Sequence, residues 1–171
     1  MNLDDFALEV KKVNWHDFKG SEYYKPEEVA ISLIALSAAD EESKEGIHKI
    51  EGVEADLLLN AKITQEVGFA IGNFHSGTYY PAIRKALPFI IQIALSGNHL
   101  VARNCAINIL IDIYYFCPEC NDGSDSEKDL MVFVKSAIKN MVSENRDIFV
   151  KFATDNPRNE SLIKSLLEII E

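Results

Sequence analysis

The chain has 171 residues, of which 47% are hydrophobic and 26% are charged, and its formal net charge is −10. This balance is typical of a globular protein and excludes a disordered chain, a collagen-like rod and a disulfide scaffold. The surplus of carboxylates argues against a basic nucleic-acid binder, because neutralising phosphates requires clustered Lys and Arg. The length predicts one domain over residues 1–171, able to bury a core without a metal or disulfide.

The hydrophobic spacing predicts helices along the chain. A helix starts at Pro26, since proline suits the first turn and the two acids that follow suit the positive end of the helix dipole. Helical patterns follow over residues 53–72 and 79–95. Pro88 lies inside the second of these, where we expect a kink.

The second half of the chain continues the helical pattern. Residues 99–116 are apolar on nearly all sides, which predicts a helix buried on most of its surface. Ser126 followed by Asp129 is a capping-box pattern that predicts the start of the next helix. No alternating strand pattern with hairpin turns appears. The apolar positions expected to face the core after residue 126 are Leu130, Val134, Ala137, Ile138, Met141, Val142, Ile148, Phe149, Phe152, Leu162, Ile163, Leu166, Leu167 and Ile170.

Short helices joined by short turns, without dominant heptads, predict an array of helix hairpins. Residues 79–116 form one such pair, with a period near 38 residues that falls in the range of HEAT-type repeats, roughly 40 residues. We therefore predict an all-α fold, a short HEAT/armadillo-like stack of antiparallel helix hairpins that forms an α–α superhelix.

Several segments resemble small bacterial HEAT-like proteins. Residues 102–113 (ARNCAINILIDI) resemble the second helix of a HEAT repeat, and residues 86–90 (ALPFI) resemble the first, with its kinking proline. Residues 75–82 (HSGTYYPA) are similar to a His-Gln-Gly-Thr loop of those proteins, with Ser76 in place of the glutamine. Residues 14–26 resemble their N-terminal segment of Trp and Tyr.

Many proteins of this kind are thought to be immunity proteins against polymorphic toxins, including contact-dependent ones. The resemblance implies a bacterial protein-binding inhibitor, not an enzyme, that occludes a cognate toxin without a cofactor or metal. Its partner is expected to be basic and nuclease-like, bound by a monomer as a 1:1 heterodimer, with no direct contact to nucleic acid or membrane. Asp4 and Asp5, where a signal peptide would carry basic residues, and three cysteines favour a cytoplasmic location.

The negative charge is concentrated in two segments. Residues 40–56 hold seven acidic and two basic side chains, and residues 119–129 hold five and one. They are either solvated loops or surfaces that steer a basic partner. On the second interpretation, the predicted partner-binding residues are Asp40, Glu41, Glu42, Glu45, Glu51, Glu54, Asp56, Glu119, Asp122, Asp125, Glu127, Tyr79 and Tyr80, with Tyr23 and Tyr24 as further aromatic anchors unless these tyrosines belong to the core.

A CxxC motif supplies an alternative of a different class. Cys117 and Cys120 could serve a metal- or thiol-dependent enzyme if Cys105 or His99 completed the site, or they could be thiols flanking a helix-ending proline. His75 precedes a Gly-Thr-Tyr-Tyr turn and is interpreted as bridging backbone groups there. The remaining alternative is a HEAT-type scaffold that binds a cellular protein or peptide.

Overall fold

A computed structural model describes residues 1–18, 23–40, 55–73, 78–115 and 125–171, with backbone alone at 55–61, 78 and 125–127. Within these residues the fold is all-α, as predicted. The helices are α1 (Leu3–Lys12), α2 (Pro26–Ala38), α3 (Ala55–Ile71), α4 (Ile83–Ser96), α5 (Leu100–Tyr115), α6 (Asp125–Glu144), α7 (Arg146–Asp155) and α8 (Glu160–Leu167). Short 3-10 turns lie at Trp15–Asp17, Pro157–Asn159 and Glu168–Ile170.

Helix α1 begins at a side-chain cap that the hydrophobic spacing does not reveal. The Asn2 Oδ1 atom accepts hydrogen bonds from the backbone N–H groups of Asp4 at 3.0 Å and Asp5 at 3.4 Å. These are two of the donors that a helix N-terminus leaves without an intrahelical partner. Phe6 and Val10 are the buried residues of this helix. Helix α2 begins at Pro26, where the sequence predicts it.

A two-residue strand pair separates α3 from α4. Strands β1 (Gly72–Asn73) and β2 (Thr78–Tyr79) are antiparallel, with Gly72 opposite Tyr79. The Tyr80 N–H then donates to the Ile71 carbonyl at 2.8 Å. The predicted helix over residues 79–95 is therefore wrong at its start: α4 begins at Ile83, because the preceding backbone pairs with the end of α3.

Helix α5 lies at the centre of the fold. It contacts α2, α3, α4, α6 and α8, and α4 and α5 form the most extensive helix–helix contact among the described elements. Eight of its residues are buried: Val101, Ala102, Cys105, Ala106, Ile107, Ile109, Leu110 and Ile113. The prediction of a helix buried on most sides is thus confirmed, and the other helices gain a common apolar surface to pack on.

The C-terminal helices depart from the predicted pattern in two places. Helix α6 already includes Asp125, so Ser126 lies inside the helix and not at the predicted N-cap. In α7, Phe149 and Phe152 are buried as predicted, but Ile148 is 44% exposed. Successive side chains of an α-helix point about 100° apart, so Ile148 lies at the edge of the face that Phe149 and Phe152 bury. No helix in the described parts of the chain has the length and hydrophobicity to cross a membrane.

Candidate partner-binding surfaces

Most of the predicted acidic binding residues lie outside the described residues: Glu41, Glu42, Glu45, Glu51, Glu54, Glu119 and Asp122. Asp40 is half-buried just after α2. Asp56, Asp125 and Glu127 are described by their backbone alone, within the first turns of α3 and α6. A carboxylate there stabilises the helix by interacting with its positive end. These three positions therefore suit helix stabilisation as well as partner binding.

The four tyrosines differ in exposure. Tyr80 is only 7% exposed, and its ring centroid lies 5.0 Å from that of Tyr24. The Tyr24 hydroxyl donates to the Trp15 carbonyl at 2.8 Å, and burial together with Glu27 raises the Tyr24 pKa to about 12. Of the two interpretations of Tyr80, anchor or core residue, its burial favours the core residue, and its backbone N–H bonds the Ile71 carbonyl.

The other two tyrosines retain some exposure. Tyr79 is half-buried and packs against the hydrophobic core, whereas Tyr23 is 68% exposed. Of the four tyrosines, Tyr23 is therefore the one with the exposure expected of an aromatic anchor.

The thiol alternative depends mainly on residues that the structure does not describe. Cys117, Cys120 and His75 all lie outside the described ranges. Cys105 is buried in α5, and this burial raises its pKa to about 12, so its thiol stays protonated at neutral pH. Across the described part of the chain, no three His, Cys, Asp or Glu side chains are grouped so that they could hold a metal. His99 instead borders a cavity beside Arg103.

A groove of about 510 Å³ lies between α7 and α8. Its apolar lining includes Val150, Ala153, Ile163 and Leu167, and Val150 is 39% exposed. Ligand pockets in proteins are predominantly apolar clefts of about 300–1,000 Å³, and this groove falls within that range. We call this feature the α7–α8 groove.

The charged residues of the α7–α8 groove are mainly acidic. Glu160, Glu168 and Glu171 are exposed at the groove, together with Lys164. Three carboxylates around an apolar surface complement a partner segment that combines apolar and basic side chains. The groove therefore offers a partner apolar surface to bury and favours a partner with positive charge.

The hydrophobic spacing did not identify this groove. Leu167 and Ile163 were predicted as core positions, and Val150 was not assigned. The run Ile148-Phe149-Val150 places its side chains about 100° apart around α7, and here only Phe149 is buried while Ile148 and Val150 stay exposed.

A second, separate feature is a cavity of about 450 Å³ beside the loop between α4 and α5. Arg103 of α5 and Phe152 of α7 line it, and the Arg103 guanidinium carbon lies 3.9 Å from the Phe152 ring centroid. The Arg103 Nε–H donates to the Ala94 carbonyl at 3.1 Å. Burial lowers the Arg103 pKa from its ordinary value, because desolvation disfavours the charged form.

Comparison with family models, curated proteins and solved structures finds no match to this chain. The functional interpretation therefore depends on the surfaces described above and on the resemblance of the sequence segments.

Proposed function

We propose that this protein is a bacterial immunity protein that binds and occludes a basic, nuclease-like protein toxin. The observation that carries the proposal is the α7–α8 groove, in which an apolar surface is bordered by Glu160, Glu168 and Glu171. The formal net charge of −10 supports the same class of partner. Nuclease toxins tend to be basic because they bind phosphate backbones, so an acidic inhibitor can occupy their substrate-binding surface.

Inhibition in this proposal requires occupation of a surface and no chemical turnover. Carboxylates around the groove and in residues 40–56 and 119–129 attract a cationic toxin and raise the association rate. Apolar residues such as Val150 and Leu167 then lose exposed area on contact, which stabilises the bound complex. The charges thus control mainly the encounter, and the apolar surface controls mainly the lifetime of the complex.

The proposed scaffold is a HEAT-like stack of helix hairpins. The extensive contact of α4 with α5 and the central position of α5 support this arrangement. Such stacks present an extended surface on consecutive helices, which suits a protein partner.

The direct test uses the C-terminal region of the protein encoded beside this gene as the candidate toxin. We expect a 1:1 complex that suppresses its toxicity. The variant Glu168→Lys/Glu171→Lys reverses two exposed charges at the groove, near the C-terminal end of α8 where cations are tolerated by the helix dipole. It should lower the association rate about tenfold or more at low salt and less at high salt.

The matched control is Glu9→Lys/Glu66→Lys, which changes the net charge equally on α1 and α3. Both glutamates are exposed and form surface ion pairs with Lys12 and Lys62, so folding should change little. If the control slows association as much as the groove variant does, net charge and not the groove is responsible. If the two purified proteins do not bind and toxicity persists, the proposed partner is wrong and a scaffold for a cellular peptide gains support.

The two acidic segments form a separate arm of the test. Reversing the acids of residues 40–56 and 119–129 should cause a large, salt-sensitive loss of association rate. Unchanged protection against the toxin would remove these segments from the binding surface and leave the groove as the remaining site.

A further inference from the structure

The cavity beside the α4–α5 loop contains a cation whose hydrogen-bonding capacity is not filled. The Arg103 Nη2 atom is buried and has no hydrogen-bond acceptor among the described residues. No carboxylate of the described residues lies within ion-pair distance of this guanidinium. A buried donor without an acceptor costs about 1–3 kcal/mol, and more when the group is charged. The guanidinium thus places a positive charge without a carboxylate partner among the described residues at the cavity.

The surrounding residues hold this cation in place. Its Nε–H bonds the Ala94 carbonyl, and its guanidinium stacks on Phe152. Gly97 allows the aliphatic stem to approach the α4–α5 loop, because a Cβ there would lie 3.0 Å from the Arg103 Cγ. A guanidinium held by a hydrogen bond and a ring contact loses little conformational freedom when a ligand binds.

The rest of the cavity lining combines apolar and charged residues. Leu95, Leu100 and Ile148 line it, and the latter two are 40% and 44% exposed. Lys151 and Asp155 also line it and are both exposed, so with Arg103 the three ionised side chains sum to one positive charge. A local positive charge is notable in a chain of net charge −10.

We propose that this cavity binds a monocarboxylate that carries a short apolar group. The carboxylate accepts hydrogen bonds from the Arg103 guanidinium, a pairing that is stronger than one between neutral groups. The apolar group lies against Leu95, Leu100 and Ile148. The ligand is either a free acid or the C-terminal residue of a polypeptide, since both present this chemistry. The site is distinct from the α7–α8 groove and does not depend on toxin binding.

The test uses small probes and the NMR signal of the Arg103 Nε–H group. The probes are 4-methylpentanoate, which represents a free acid, and N-acetyl-L-leucine, which represents a chain terminus. Each has a neutral isosteric control, 4-methylpentanamide and N-acetyl-L-leucinamide. We expect saturable shifts of the Arg103 signal with the carboxylates and none with the amides at equal concentration. The carboxylate that binds more tightly identifies the source of the ligand.

Two exposed positions provide matched variants that should preserve folding. Ile148→Glu places a negative charge at the cavity, whereas Val132→Glu places the same charge on α6 at a residue that does not line it. Val132 is 60% exposed. Ile148→Glu should weaken carboxylate binding about fivefold or more, as expected for repulsion between like charges near a protein surface. Val132→Glu should leave it unchanged. Arg103→Met should abolish binding if this variant folds, as checked by circular dichroism.

Several outcomes would overturn the proposal. It is wrong if neither carboxylate gives a saturable shift, or if the amides bind as tightly as the acids. Inorganic phosphate is the third probe, and equal binding of phosphate would show a general anion site in which the apolar lining has no role. Equal effects of Ile148→Glu and Val132→Glu would place the binding outside this cavity.

Discussion

Helices α5 and α7 differ in how far their apolar side chains are buried. Helix α5 buries eight of its 16 residues and packs extensively on α2, α3, α4, α6 and α8. Helix α7 buries only Phe149 and Phe152 of its 10 residues and leaves Ile148 and Val150 substantially exposed. Both helices are rich in apolar side chains, but α7 presents part of them at the two cavities.

This difference separates the residues that stabilise the fold from those available for binding. An apolar side chain buried among several helices contributes to stability through its lost exposure to water and its close packing. An exposed one contributes little to folding and retains area that a partner can bury. The comparison therefore predicts that substitutions in α5 affect stability and that substitutions on the exposed face of α7 affect binding.

The largest expected effect is that of Leu110→Ala in α5. Leu110 is fully buried, so truncation should lower the free energy of unfolding by about 3–5 kcal/mol, through lost burial and a residual cavity. Val150→Ala in α7 is the control and should cost less than about 1 kcal/mol, because this residue is 39% exposed. Urea denaturation of both variants measures the difference. Similar losses would contradict the distinction between the two helices.

An intermediate effect is expected at the turn that joins α4 to α5. In Gly97→Ala, the new Cβ would lie 2.7 Å from the Ile93 carbonyl oxygen, which already accepts the Gly97 N–H at 2.8 Å. Relieving this contact should lower the free energy of unfolding by about 1–3 kcal/mol. The same denaturation measurement checks it. Ser96→Ala removes only an exposed hydrogen bond to Gln92 and should change stability by about 0.5 kcal/mol or less. If Gly97→Ala leaves the free energy of unfolding unchanged, the turn can relax to accommodate the added methyl group.

The smallest expected effect is a pH dependence at Asp112 of α5. Burial raises the Asp112 pKa above its usual 3.8. The folded state therefore binds this proton more tightly than the unfolded state, and the contribution of Asp112 to stability falls as the pH rises from about 3.8 through its raised pKa. Asp112→Asn should be more stable than the wild type at pH 7, by on the order of 2–4 °C in Tm.

Thermal unfolding from pH 3 to pH 7 measures this difference. The advantage of Asp112→Asn should shrink toward the acidic end, where the wild-type carboxyl is protonated in both states. Asp155→Asn, at an exposed position of α7, is the matched control for the loss of one carboxylate. An advantage of Asp112→Asn that is equal at all pH values would indicate a packing effect and not a titration.

Hydrophobic spacing predicted the helices well where one face, or the whole surface, of a helix is apolar. Helix α2 starts at the predicted Pro26, and α5 spans nearly the predicted range. The start of α4 was missed because Tyr79 and Tyr80 bond the end of α3, which is a contact between segments. The α7–α8 groove was missed for a similar reason, since its lining comes from two helices and each contributes residues that also suit a core.

The sequence by itself determined the all-α class, the position of the central helix and the acidic net charge, because these depend on residue type and local periodicity. Only the tertiary structure decided that Tyr80 is buried, that Ile148 and Val150 are exposed, and that the Arg103 guanidinium stacks on Phe152. The last contact joins residues of two helices, α5 and α7, whose side chains meet only after packing. Burial and pairing are properties of that packing, so residue type and spacing along the chain do not specify them.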